Sequence, residues 1–291
     1  MCRGEKMSKD FTDNVVVHVK EENVEYLKFR ALEKYNEKLD VKVFLNRGGV
    51  SKGVYESLNV RIAGNDKKEN VLENVRRIAG TFNIGTSCIC KGTQAHTDNI
   101  LHLNETNMNG YAFGKINENE VDGYITDSNK LATLVTTADC NPIVIYDSTN
   151  NVVANVHSGW KGTIKRIYLN ALIKMKERFG TKPEDCVVCV GPSIKSCCFS
   201  SEEESFKKQF TDLWEDEEKY IYYEKENSKR FHIDLSYIIT KDLKEAGVIE
   251  ENIHFANICT CCNHDSFYSY RYKTMNNEDD YGCFATVVKL K

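Results

Sequence analysis

Proline is nearly missing from this sequence, with three residues in 291. No Pro- or Ser-rich linker marks a boundary between domains. Long hydrophobic runs are missing too: the most apolar pieces, such as Val152-Val153-Ala154-Asn155-Val156, are strand-sized and far short of a bilayer span. The opening MCRGEKMSKDFTDN has no apolar core, so a secretory signal is not expected. Positive charge is in slight deficit, 39 Lys and Arg against 43 Asp and Glu for a net charge of -4. That balance gives no general attraction to nucleic acid, and neither a nucleic-acid nor a membrane partner is expected. Neither a P-loop nor a Gly-x-Gly-x-x-Gly fingerprint occurs, which argues against triphosphate and dinucleotide sites. Histidine is scarce at seven residues, too few to furnish a multicopper cluster easily.

What is present is an ordinary globular mixture, 41% hydrophobic and 28% charged. The length suffices for one full core. Residues 1–17 read as a loose lead-in and 18–291 as a single domain. Twelve cysteines are spread along the chain without an export signal, so reduced thiols in a cytoplasm are expected. Cys88 and Cys90, Cys197 and Cys198, and Cys259, Cys261 and Cys262 form local clusters. They are not expected to make a second metal site.

A short charged helix is expected over Glu22 to Lys38, then a strand over Val41 to Leu45 and a glycine-rich loop over Arg47 to Gly53. A helix capped near Asp66 would place Val71, Leu72, Val75, Ile78 and Ala79 on one face. Leu131 to Thr136, Ile143 to Tyr146, Val152 to Val156, Cys186 to Val190 and Phe284 to Leu290 are strand candidates rich in β-branched residues. The clearest helix runs from Thr163 to Phe179, closed by Gly180. Another begins at Asp234 and ends at Gly247.

His96, Cys140 and His157 stand apart because each follows a strand-like run and precedes a turn, the usual position of an active-site residue between strands and helices. A thiolate with two imidazoles suits zinc with a fourth position open. Spacing alone leaves two alternatives standing: unrelated buried residues, and Cys140 as a thiol nucleophile oriented by Asp139 or Asn141. Lys161, at a helix start, and Arg47, in the glycine loop, are candidate anion ligands.

The segments Asn46-RGGVSKGVYESLNV, Gln94-AHT, Val121-DGYIT, Thr137-ADCNPIVIYD, Asn155-VHSGWKG, Val190-GPSIKSCCF, Ile258-CT and Phe267-YSYR resemble, in order, the pattern of the YfiH family, also called the polyphenol oxidoreductase laccase-like family. The resemblance spans about Val41 to Lys291. It implies an α+β fold, a four-layer α/β/β/α sandwich with mixed sheets, and Zn2+ on His96, Cys140 and His157, with Cu2+ as a substitute. It also implies a monomer that phosphorolyses adenosine, inosine, guanosine and S-methyl-5′-thioadenosine and deaminates adenosine. Asp139, Cys140 and His157 would be catalytic, and Arg47, Ser51 and Lys161 would bind phosphate or substrate. A copper-dependent polyphenol oxidoreductase and a metal-stabilised binding module are the alternatives. The chain departs from the family pattern at Thr97, where Gly is usual, and at Lys161, where Arg is usual. It departs again at Phe199-Ser200-Ser201-Glu202 and at the C-terminal Thr-Gly-Arg, which is absent.

Overall fold

The computed structural model describes residues 9–115 and 118–291. Two six-stranded sheets form its centre. The first runs Val16–Glu21, Val24–Phe29, Leu39–Phe44, Phe284–Leu290, Ala132–Thr137 and Ile89–Cys90 across its width. The second runs Ile253–Phe255, Cys186–Val190, Asn141–Asp147, Val152–Ser158, Gly123–Thr126 and Ile100–His102. Both are antiparallel in the middle and become parallel at an edge, where Ile89–Cys90 joins the first sheet and where Ile253–Phe255 and Ile100–His102 join the second.

The period-2 alternation of side chains explains the layering. Val43, Val288, Val144, Tyr146 and Val153 point inward and fill the core between the sheets. Their neighbours point outward: Phe44 and Val287 from the first sheet, Ile143, Ile145, Val152 and Ala154 from the second. Helix Lys68–Gly80 covers the first outer face with Val75, Ile78 and Ala79. Helix Ile167–Phe179 covers the second with Ile167, Ala171, Leu172 and Met175, joined by Ile239 and Leu243 of helix Leu235–Glu245. The result is the expected α/β/β/α sandwich. A small sheet of Ser200–Ser201, Phe231–Ile233 and Ile221–Tyr223 packs with helix Glu204–Thr211 and Trp214 as an annex.

Three expectations need correction. No long helix covers Glu22 to Lys38: the segment holds strand Val24–Phe29, paired with Val16–Glu21 as a hairpin, and a short 3-10 helix Arg30–Tyr35. Its Glu and Lys residues favour helix, but Tyr26 packs on the outer face while Leu27 and Phe29 join the core, and burial overrides propensity. The lead-in is not loose where it is described, since Phe11 and Val16 are buried in the inter-sheet core; residues 1–8 lie outside the described residues. The Thr163 to Phe179 helix is two helices, Trp160–Ile164 and Ile167–Phe179, broken where Arg166 turns left-handed at φ 54°. Gly180, at φ 74°, closes the second as the sequence suggested.

Candidate active site

The chain crosses from the first sheet to the second between Thr137 and Asn141, and Cys140 sits in that crossing. His157 ends the neighbouring strand Val152–Ser158, paired with Pro142. His96 arrives on the loop beyond strand Ile89–Cys90. The three ligand atoms lie within 4.8 Å of one another. The Cys140 Sγ is 3.7 Å from His96 Nε2, and the two imidazole rings meet edge to face with centroids 4.9 Å apart.

Asp122 organises this convergence, and the sequence reading gave it no role. Its Oδ1 accepts from His157 Nδ1 at 2.7 Å, which directs the other ring nitrogen toward the site. Its carboxylate also accepts the backbone N–H groups of Ala95, His96 and Thr97 at 3.1, 3.1 and 2.7 Å, and the Thr97 hydroxyl at 2.8 Å. One buried carboxylate thus fixes two ligands, holding His96 in a left-handed turn at φ 58°. Thr97, in place of the usual glycine, adds one of these bonds. Burial alone would raise the Asp122 carboxyl, but the hydrogen bond and charge of His157, with the Thr97 bonds, hold it well below the ordinary carboxylate range.

Burial, then the neighbouring His157, pushes the His96 imidazolium down, which favours the neutral ring a metal requires. Burial, then the charge of Asp139, pushes the Cys140 thiol far up. Such a thiol is a poor nucleophile by itself, whereas a coordinated cation would deprotonate it outright. A Cβ at Gly159 would lie 2.7 Å from His96 Cδ2 and 2.8 Å from Cys140 Sγ, so glycine there lets the ligands close together. Two imidazoles, one thiolate and a clear approach fit a transition-metal ion.

Asp139, beside Cys140, is left-handed at φ 93° and buried. Its Oδ1 accepts from the Thr260 hydroxyl at 2.6 Å and its Oδ2 from Arg271 N at 2.7 Å. Burial raises this carboxyl.

His96, Asp139, Cys140 and His157 line a cavity of about 1100 Å³. Trp160, Phe199, Tyr270 and Tyr281 give it aromatic walls, and Arg61, Lys68, Lys91 and Arg271 give it positive charge. Burial lowers the Lys91 ammonium, whose Nζ donates to Gly92 O at 3.0 Å. Arg61 is already paired with Asp280 and lies over the Tyr281 ring at 4.1 Å.

The structure does not bring the expected anion ligands to this lining. Arg47 bonds Glu25 and Ser266 at 3.3 and 2.9 Å. Ser51 is fully buried between Asp66 and Asn74. Their glycine loop serves close packing: a Cβ at Gly48 would fall 1.5 Å from Asn23 O, and one at Gly49 2.0 Å from Ser57 O. Lys161 is exposed in a five-residue helix, its Nζ 5.5 Å from the centre of the Trp160 ring. No helix among the described residues is long and apolar enough to cross a membrane.

A sandwich of this kind with a two-histidine, one-cysteine centre under a cavity defines a class, and comparison with known proteins agrees. The family model described as multi-copper polyphenol oxidoreductase laccase matches residues 41–291, and the chain belongs to that family. A purine nucleoside phosphorylase from Bacteroides thetaiotaomicron is 30% identical over 233 residues, 79% of this chain and 84% of that one. A protein named adenosine deaminase RL5, from an unknown prokaryotic organism, is 34% identical over 160 residues, 54% of this chain and 59% of that one. Among solved structures, the hypothetical protein YfiH of Bacillus licheniformis superposes with a TM-score of 0.82 at 24% identity, covering 94% of this chain and 99% of that one. With relatives named as phosphorylase and deaminase, the chain is an enzyme of this family.

Proposed function

We propose that the protein is a zinc-dependent purine nucleoside phosphorylase. It would convert adenosine, inosine, guanosine and S-methyl-5′-thioadenosine with phosphate to base and ribose 1-phosphate, and would also deaminate adenosine. The observation that carries this reading is the placement of His96, Cys140 and His157 in the wall of a cavity that also offers aromatic rings and positive charge. When bound, the metal supplies Lewis-acid polarisation.

The protein's own groups do the rest. Trp160, Phe199, Tyr270 and Tyr281 present apolar faces to the purine and exclude water. Lys91 holds the phosphate. Its ammonium is disfavoured by burial, and an anion beside it would favour the charged form while fixing the nucleophile near C1′. Lys161 adds positive charge at the rim. Asp139 keeps its place as a functional residue, but with both oxygens bonded to Thr260 and Arg271 it acts by orienting the Cys140 turn. Such a protein would work as a cytoplasmic monomer.

Adenosine supplied with and without phosphate tests the reading, with products separated and the H157A protein as a contamination control. Phosphate-dependent adenine and ribose 1-phosphate are expected, with inosine and ammonia as the minor, phosphate-independent products. Absence of both adenine and inosine from metal-loaded protein would overturn it. In K91A the KM for phosphate should rise roughly 10-fold or more, as loss of a charge-assisted hydrogen bond implies, with metal content unchanged. Copper-dependent phenol oxidation is the second reading, since the donor set also suits copper; oxygen uptake on a phenol separates the two.

A further inference from the structure

Beside the cavity, two loops bring four more sulfurs together. Cys197 and Cys198 come from the segment after strand Cys186–Val190, and Cys259 and Cys262 from the segment after strand Ile253–Phe255. All four Sγ atoms lie within 4.8 Å of one another. Cys262 Sγ is 3.5 Å from both Cys197 Sγ and Cys198 Sγ. A tetrahedral zinc with Zn–S bonds of about 2.3 Å requires S···S edges of about 3.8 Å, close to this spacing. An iron–sulfur cluster, whose ligand sulfurs must stand apart to surround several irons, does not fit so compact a set. We propose that Cys197, Cys198, Cys259 and Cys262 form a second metal site, a tetrathiolate that binds one zinc ion in the reduced protein.

The surrounding backbone is built to hold the two pairs in register. Ser193 N donates to Ile258 O and Thr260 N donates to Ser193 O, both at 3.1 Å, so the loops are laced together beside the sulfurs. All four protein ligands are thiolates and no position is left open, the pattern of a structural ion rather than a catalytic one. The site also reaches the active centre. Thr260, between two of its ligands, holds Asp139, and Arg271 Nη1 donates to Cys198 O at 2.7 Å while its backbone N–H holds the same aspartate. Ile194, Phe199 and Tyr270, from the same two loops, line the cavity. An ion at the thiolates fixes one wall of the substrate site.

Cys262 is disulfide-bonded in the structure. Metal binding therefore requires reduction. A small-molecule dithiol supplies two electrons and two protons, yielding two thiols, one of them Cys262, and a cyclic disulfide of the reductant. Zinc then displaces the remaining thiol protons to solvent.

The test uses full-length protein purified under dithiothreitol, loaded with zinc chloride, desalted and assayed for metal. Two equivalents of zinc are expected in the parent and one in the C259S/C262S protein. Reduced H157A protein titrated with cobalt(II) should show an intense sulfur-to-cobalt charge-transfer band, absent when C259S/C262S is added to H157A. Parent protein with a single equivalent that C259S/C262S does not lower would overturn the proposal. Should the serine pair fail to fold, the cobalt titration of H157A decides alone: a reduced, folded protein without the thiolate band sinks it.

Discussion

Asp122 and Gly159 show how few atoms set this centre. Asp122 bonds His157, Thr97 and three consecutive amides, so in D122N the ring and the His96 loop lose a charged acceptor together. A 10- to 100-fold fall in metal affinity, of the order seen for residues supporting metal ligands, is expected from equilibrium dialysis. The pH dependence follows from the depressed carboxyl. Its stabilisation is complete above the ordinary aspartate value of 3.8 and is lost as the pH falls below that value toward its lower folded one. The stability difference between parent and D122N should therefore be flat near neutrality and shrink in acid, as denaturant titrations would show. Gly159 acts by absence. In G159A the added methyl meets His96 and Cys140, and most of the metal should be lost while circular dichroism stays that of the parent; full occupancy would show that the ligands can move apart.

At the scale of elements, a buried aspartate joins helices that the sequence displays only as separate segments. Asp242 of helix Leu235–Glu245 accepts from Tyr168 Oη at 2.6 Å, Trp214 Nε1 at 2.8 Å and Arg166 Nε at 3.3 Å. Removing it strands two buried donors, and D242A should lose about 3 kcal/mol in urea unfolding. A loss under about 0.5 kcal/mol, the size of an ordinary surface change, would contradict this account. What the sequence revealed and what it hid divide along local lines. Strands Cys186–Val190 and Phe284–Leu290, and helix 235–245 with Asp234 accepting from Ser236 N and Tyr237 N, follow from neighbouring residues and were legible. The insertion of Phe284–Leu290 between Leu39–Phe44 and Ala132–Thr137 is a pairing of distant segments, which no local pattern encodes. His96, Cys140 and His157 were legible because each follows a strand-like run and precedes a turn. Asp122 was not, although it stands second in the Val121-DGYIT segment, because a carboxylate before a strand is usually solvated. The C-x2-C spacing of Cys259 and Cys262 was a readable signal of the sulfur cluster that the sequence reading passed over.

Across the whole molecule, the three ligands lie where one sheet hands the chain to the other. An ion there ties the sheets together, and binding to the folded form alone stabilises it by roughly 3 kcal/mol at a hundredfold excess over Kd. For a chain of this size that shifts Tm by about 5–10 °C. In protein that carries C259S/C262S, chelation should lower the Tm by that amount, and adding H96A should abolish the fall; an equal fall with and without H96A would place the stabilising ion elsewhere.

Because Asp122 already sets the ring of one ligand and the loop of another, the protein meets an incoming ion with its geometry formed. Selection among ions then falls to that fixed geometry, to the ligand set and to whichever ion the surroundings supply, and not to intrinsic affinity alone, which ranks copper above zinc. Samples grown in copper-rich and zinc-rich media would carry different metals in the same unaltered fold.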